Sequence, residues 1–245
     1  MITAVVGLGR FGYFWADFLS SFTQTWAFNR NPQRATPPRV RRISVEELDQ
    51  VDAVFLCVAI SSVETVLKAI KPHLKPGTLV IDTCSVKVVP VQTMLDILGE
   101  DYRIMASHPM FGPDSAKEGV QGLPMVLYPI QKAEKDYEFW SKAFLETGLK
   151  VLKITPEEHD KIGAYTQGVT HFIGRVLSRL NLEPHSMGTK GYHALLEIMQ
   201  QTCNDPFQLF LDLQNYNPYT SVMRDELHRA FLETEQLLKP QDSKE

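Results

Sequence analysis

His108 stands in IMASHPMFGPDSAKEG (104–119), between the end of an apolar run and a glycine–proline turn. An imidazole is the side chain whose ordinary pKa lets it take a hydroxyl proton near neutrality. A histidine at a strand end can equally be structural, so position alone does not decide its role. Ser85, in IDTCSVK, directly follows another apolar run; its hydroxyl can orient an imidazole or bond a substrate. A third group of residues suits a phosphate. Gly7, Gly9 and Gly12 in VVGLGRFG make G-x-G-x-x-G between a strand pattern and an amphipathic helix pattern. The first glycine permits a tight turn, the second lets the backbone approach a pyrophosphate, and the third lets helix pack on strand. The free amides and dipole at the helix start then favour negative charge. Gly7, Leu8, Gly9, Arg10, Phe11 and Gly12 are therefore candidate dinucleotide contacts, with Val58, at the end of the run DAVFLCVA (52–59), beside them.

A dinucleotide site that holds a ribose 2′-hydroxyl carries Asp or Glu about 20 residues after the glycines. Here WAFNRNPQR places Asn29, Arg30 and Asn31 there. No carboxylate repels a 2′-phosphate, and Arg30 can pair with one while Asn29 donates to the same oxygens. The expected cofactor is NADP, with NAD second.

The elements that must position these groups read as alternating strands and helices. Apolar runs at ITAVV, TWAF, DAVFLCVA, GTLVIDT, RIMASH and PMVLYP are separated by helical patterns, which points to a doubly wound α/β fold with a mostly parallel sheet. Ser44 with Glu47 reads as a capping box. From Thr155 the pattern is helical throughout, opening with Thr155 as N-cap, Pro156 at the first position and Glu158 after it. The expected domains are a Rossmann domain over 1–153 and a smaller all-α domain over 154–245.

In that second region Ile162, Val169, Phe172, Ile173, Val176 and Leu180 recur at helical spacing and read as a core stripe. Another face carries Asp160, Ala164, Gln167, His171, Gly174 and Arg175, with Gly163 and Gly168 nearby. It suits the wall of a cleft, with Gln167 and His171 as substrate contacts; His171 can equally bond across a helix pair. His159 and Asp160 read as structural. No metal site is expected, because His159 and His171 have no companion ligand at i+3 or i+4.

Composition narrows the class. The 245 residues are 44% hydrophobic and carry a net charge of −4, which suits a folded chain and argues against a nucleic-acid partner. Three scattered cysteines, Cys57, Cys84 and Cys203, fit neither a disulfide framework nor a zinc site. No run is long and apolar enough for a membrane span and no leader pattern opens the chain, so the expected location is cytoplasmic.

The segments SHPMFGPDSAKEG, DTCSVK, EEHDKIGAYTQGVTHFIGRVL and TKGYHALLEIMQQTCNDPFQLF together resemble the prephenate/arogenate dehydrogenases of tyrosine biosynthesis, most nearly those of plant type. The resemblance runs from Gly7 to about Asn217. It implies oxidative decarboxylation of a cyclohexadienol, with His108 as catalytic base, Ser85 bridging histidine, substrate and nicotinamide, and His171 lining the substrate site. It also implies a homodimer formed by the helical domain. Gln200 stands where many prephenate-using members carry an arginine, and Asp205 matches an acidic position linked to arogenate preference. A carboxylate favours the ammonium of arogenate over an anionic side chain, so arogenate is the expected substrate and prephenate the alternative. Asp205 can also be read as the N-cap of the helix that follows. Two other readings are a β-hydroxyacid dehydrogenase or imine reductase working through Lys161, and an NADP-sensing protein without turnover.

Overall fold

The protein is described by a computed structural model covering residues 1–238. Strand β1 (Ile2–Val6) leads through the glycine turn into α1 (Arg10–Leu19), then β2 (Gln24–Phe28) and the short β3 (Arg41–Arg42). After a 3-10 turn over Glu46–Gln50 come β4 (Ala53–Leu56), α2 (Val63–Ile70), β5 (Leu79–Asp82), α3 (Val88–Leu98) and β6 (Arg103–Pro109). β7 (Pro124–Gln131), α4 (Glu134–Glu146) and β8 (Lys150–Leu152) complete the sheet. The helical part holds α5 (Pro156–Gly163), a π-helical turn over Ala164–Gly168, α6 (Val169–Leu177), α7 (Lys190–Asn204), α8 (Phe207–Tyr216) and α9 (Thr220–Gln236).

The eight strands form one sheet in the order β3-β2-β1-β4-β5-β6-β7-β8. Order reverses between β1 and β4, the switch point beside which a doubly wound sheet binds its ligand. Every pairing is parallel except β6 with β7, which is antiparallel. The reason lies in 110–123. A parallel connection needs a crossover, normally a helix, and this segment is a run of turns without one, so the chain doubles back.

The central strands are buried on both faces. One face packs Val5, Phe55, Ile81 and Met105 against Trp15 of α1 and Trp140 and Phe144 of α4. Trp15 and Phe144 ring centres lie 5.7 Å apart, and Phe55 and Trp140 4.9 Å in an edge-to-face pair. Such pairs add about 0.5–1.5 kcal/mol beyond burial. α2 and α3 pack on one another. The expected capping box is half present: Ser44 N–H donates to Glu47 Oε2 at 2.9 Å, ahead of the 3-10 turn.

The described chain divides into two compact units, Met1–His159 and the part from Asp160 onward. That division falls inside α5, whereas the sequence placed a boundary at 153/154. Thr155 caps α5, its Oγ1 accepting from Glu158 N–H at 3.3 Å. In the helical unit the expected core stripe is overturned. Ile162, Val176 and Leu180 are 49%, 46% and 62% exposed, and Val169, Phe172 and Ile173 only partly buried. The buried face is the small, polar one: Asp160, Ala164, Gly168, His171 and Gly174. A Cβ on Gly174 would lie 2.0 Å from Thr202 Oγ1, so that glycine serves the close packing of α6 on α7. The helix pair approaches through its small residues and leaves its apolar stripe outside.

Candidate active site

At the end of β1, Gly7 N–H donates to Phe28 O at 2.9 Å and the chain turns at φ +101. A Cβ on Gly7 would sit 2.4 Å from Cys57 O and 2.8 Å from Val58 Cγ1, and one on Gly12 only 1.9 Å from Gly7 O. The fold itself demands both glycines. Gly9 differs: its φ is an ordinary −69 and an added Cβ would meet nothing within 4 Å. No atom of the described residues requires glycine there. The open space at the uncapped start of α1 is what close approach of a pyrophosphate needs. The site therefore fits a dinucleotide.

Asn29 braces this turn. Its Oδ1 accepts from Leu8 N–H at 2.8 Å and its Nδ2 donates to Asn31 O at 3.0 Å; expected as a donor to phosphate, it acts here on the protein's own backbone. Asn31 Oδ1 accepts from Gln33 N–H. Arg42 donates to Arg34 O at 2.7 Å, Asn31 O at 2.9 Å and Asn29 O at 3.1 Å, and so pins the 29–34 loop. Arg30 is exposed on that loop. Arg10 pairs with Asp114, and Phe11 stacks on Trp15 at 5.7 Å, so its ring belongs to the core.

At the ends of β5 and β6 a buried polar network sets the next residues. Lys87 pairs with Asp82, both almost wholly buried, and donates to Ser107 O at 2.5 Å. Asp82 also accepts from Cys84 N–H at 3.0 Å and Ser107 N–H at 3.3 Å. This clamps the turn carrying Ser85 to the strand carrying His108. Ser85 Oγ is buried without a hydrogen-bond partner, a state that costs stability unless a ligand supplies one. His108 is 4% exposed, and its Nδ1 lies 2.8 Å from Nε2 of the equally buried His159. Burial holds the His108 pKa well below its ordinary 6.5, assisted by His159 and the Lys87 ammonium, so the ring is neutral near pH 7. Burial also pushes the thiols up, Cys57 to about 12 and Cys84 well above its ordinary range, leaving neither as a nucleophile.

Within the helical unit, His171 is buried, with Nε2 3.8 Å from Asp205 Oδ2 and Nδ1 unpartnered. Burial lowers its pKa, Asp205 opposing and Arg175 assisting. Asp205 is the C-cap of α7 and precedes Pro206, the residue before α8. The Asp205 carbonyl accepts from Arg175 at 2.9 Å. Gln167 lies half-buried in the π-helical turn. Gln200 is exposed on α7, at the rim of an apolar cavity of about 320 Å³ that Leu196, Met199 and Cys203 also line. Lys161 lies 5.6 Å over the Tyr219 ring. Among the described residues, no group of three His, Cys, Asp or Glu side chains is placed to hold a metal.

Residues 39–153 match the profile of the prephenate dehydrogenase nucleotide-binding domain, and 176–245 that of the TYRAAT1-like C-terminal domain. Arogenate dehydrogenase 2, chloroplastic, of Arabidopsis thaliana is 36% identical over 186 residues, covering 74% of this chain and 52% of that protein. Arogenate dehydrogenase 1, chloroplastic, of the same plant is 31% identical over 239 residues, covering 93% and 37%. The chain belongs to the prephenate/arogenate dehydrogenase family. Solved structures show the family fold at low identity. Prephenate dehydrogenase from A. aeolicus, in complex with hydroxyphenyl propionate and NAD+, superposes with a TM-score of 0.77 at 18% identity, covering 97% of this chain and 90% of that one. Synechocystis arogenate dehydrogenase gives 0.61 at 19%, covering 96% and 98%. The chain thus spans between about a third and a half of the two plant relatives.

For this prephenate/arogenate dehydrogenase family member, the glycine turn precedes the profile match and rests on its own geometry. Sequence reading missed the Asp82–Lys87–Ser107 clamp, the Arg42 anchor and the His159 contact. A buried Lys five residues after an Asp leaves no pattern that separates it from a surface pair. The contact with His159 spans 51 residues, beyond any local spacing.

Proposed function

We propose that the protein oxidises arogenate with NADP, releasing CO2 and forming tyrosine, with prephenate as the poorer substrate. One observation carries the reading: His108 is a buried neutral imidazole at a sheet's carboxyl edge, its Nδ1 held by His159. His108 Nε2 takes the proton of the ring hydroxyl as the carbon bearing it gives up hydride. The bound nicotinamide supplies the hydride acceptor. The ring carboxylate then leaves as CO2, and the electrons of the broken bond complete the aromatic ring. Ser85 Oγ, buried and unpartnered, is assigned to bond the substrate hydroxyl. Gln167, His171, Gln200 and Asp205 are assigned to the substrate's polar groups, and Arg30, on its pinned loop, to the 2′-phosphate.

The Asp205 carboxylate, 34% exposed, favours the arogenate ammonium. The test is reduced-nicotinamide formation with arogenate and prephenate, each with NADP and NAD, for wild type, Asp205→Asn and Arg30→Gln. Asp205→Asn should lower the arogenate-to-prephenate ratio of kcat/KM about tenfold, and Arg30→Gln should raise KM for NADP at least as much while sparing NAD. Turnover of prephenate alone would overturn the substrate assignment. Activity only on hydroxyacids or imines would overturn the reading altogether; the Lys161–Tyr219 contact gives that alternative no support.

We also propose a homodimer formed by the helical unit. Its buried apolar residues, among those described, are only Ala164, Leu213 and Met223, while Ile162, Val176, Leu180, Phe207 and Val222 stand exposed. A second copy would cover them. The three free cysteines suit a reducing compartment, proposed as the cytoplasm; the plant relatives are named chloroplastic.

A further inference from the structure

We infer that His159 is a positioning residue: by accepting the Nδ1–H of His108 it fixes the tautomer in which His108 Nε2 carries the lone pair. This rests on the proposed role of His108 as base.

The two rings meet through His108 Nδ1 and His159 Nε2 at 2.8 Å, 66° apart in plane, and both are buried. A single hydrogen lies between two nitrogens, so only two neutral arrangements exist. If His159 donates, the His108 proton sits on Nε2, and the one nitrogen not already engaged cannot act as a base. If His108 donates, Nε2 is a free acceptor and His159 carries its own proton on Nδ1. Only the second arrangement is productive. It also gains as the reaction proceeds. When Nε2 takes the substrate proton, Nδ1–H becomes a donor on a cation, and its bond to His159 strengthens. An interaction stronger in the transition state than in the ground state raises kcat rather than lowering KM. The arrangement is built by the fold: β6 ends at Pro109 with His108 buried beside β7, and the Thr155 cap starts α5 so that His159 lies in its first turn. His159 N–H donates to Thr155 O at 2.9 Å, which fixes the histidine's backbone.

The experiment compares His159→Gln, His159→Leu and His108→Asn, with 15N-histidine spectra of the wild type. The glutamine carbonyl oxygen reaches the place of Nε2 and still accepts, whereas leucine fills the volume without accepting. Expected are a His108 resonance of the Nδ1–H form, assigned by its loss in His108→Asn, and a fall in kcat of about 10- to 100-fold for His159→Leu with KM little changed. His159→Gln should recover kcat to within a few-fold of wild type. An Nε2–H wild-type His108, a fully active His159→Leu, or a glutamine variant as slow as a folded leucine variant would each overturn the inference. If the leucine variant does not fold, the wild-type tautomer and the glutamine rate still decide. Retained activity in His108→Asn would instead remove the proposed base itself, and so tells the two failures apart.

Discussion

At the residue scale the deciding property is neutrality. His108 and His171 are buried, and burial lowers the pKa of each below 6.5. Both groups bind protons more weakly folded than unfolded. Their contribution to stability is therefore complete above about pH 6.5 and is lost as pH falls through the folded values. Thermal unfolding followed from pH 7.5 to pH 5 should show Tm falling, and His108→Asn should flatten part of that fall. The same depressed pKa keeps the base competent in mild acid, so the acid limb of kcat/KM should lie below about pH 6.5. His108→Asn should cost about 10²- to 10⁴-fold in kcat; a smaller loss in initial rates would assign the base elsewhere. His108 and Ser85 were legible because each directly follows a strand-like run. Their surroundings were not, since His159 bonds His108 from 51 residues away and Lys87 joins their two turns through Asp82 and Ser107.

Among elements, the glycine turn separates what folding needs from what a ligand needs. Gly12→Ala would force a Cβ into Gly7 O and should lower Tm. Gly9→Ala adds a methyl group into open space at an allowed φ. It should leave stability unchanged or raise it by about 0.4–1 kcal/mol, while NADP affinity measured by calorimetry falls at least tenfold. A Gly9→Ala protein that binds NADP normally would place the pyrophosphate elsewhere. The β5–β6 clamp makes a different prediction. Lys87→Met leaves Asp82 charged and buried, and removing one partner of such a pair costs about 3–5 kcal/mol, to be read from denaturant unfolding. Strands β1, β2, β4, β5 and β6 were legible because they are largely apolar runs, whereas β3, the pair Arg41–Arg42, carries no such pattern and was read as a loop. The antiparallel return into β7 was not legible either, since direction depends on whether 110–123 can hold a crossover helix, and a strand pattern says nothing of direction.

At the scale of the whole molecule, the apolar stripe along α6 and the turn after it shows where periodicity stops informing. Val169, Phe172, Val176 and Leu180 repeat as a buried face does, yet among the described residues Val176 and Leu180 stay exposed and Val169 and Phe172 only partly buried. Periodicity reports that a face avoids water, not what covers it. On the proposed dimer, Val176→Asp with Leu180→Asp should give monomers by analytical ultracentrifugation, without loss of the unit holding β1–β8. A wild-type monomer at micromolar concentration would overturn the proposed dimer. The π-helical turn at Ala164–Gly168 has a bearing on how such a helix can change over time. It works as a phase shifter, one residue surplus to an α-helix, between Asp160 on one side and His171 on the other. Deleting that residue would restore an unbroken helix with His171 still on the buried face, whereas straightening the turn with every residue kept would rotate everything beyond it by about 100° and carry His171 off that face. Point substitutions can tune this helix, but its register is inherited as a unit.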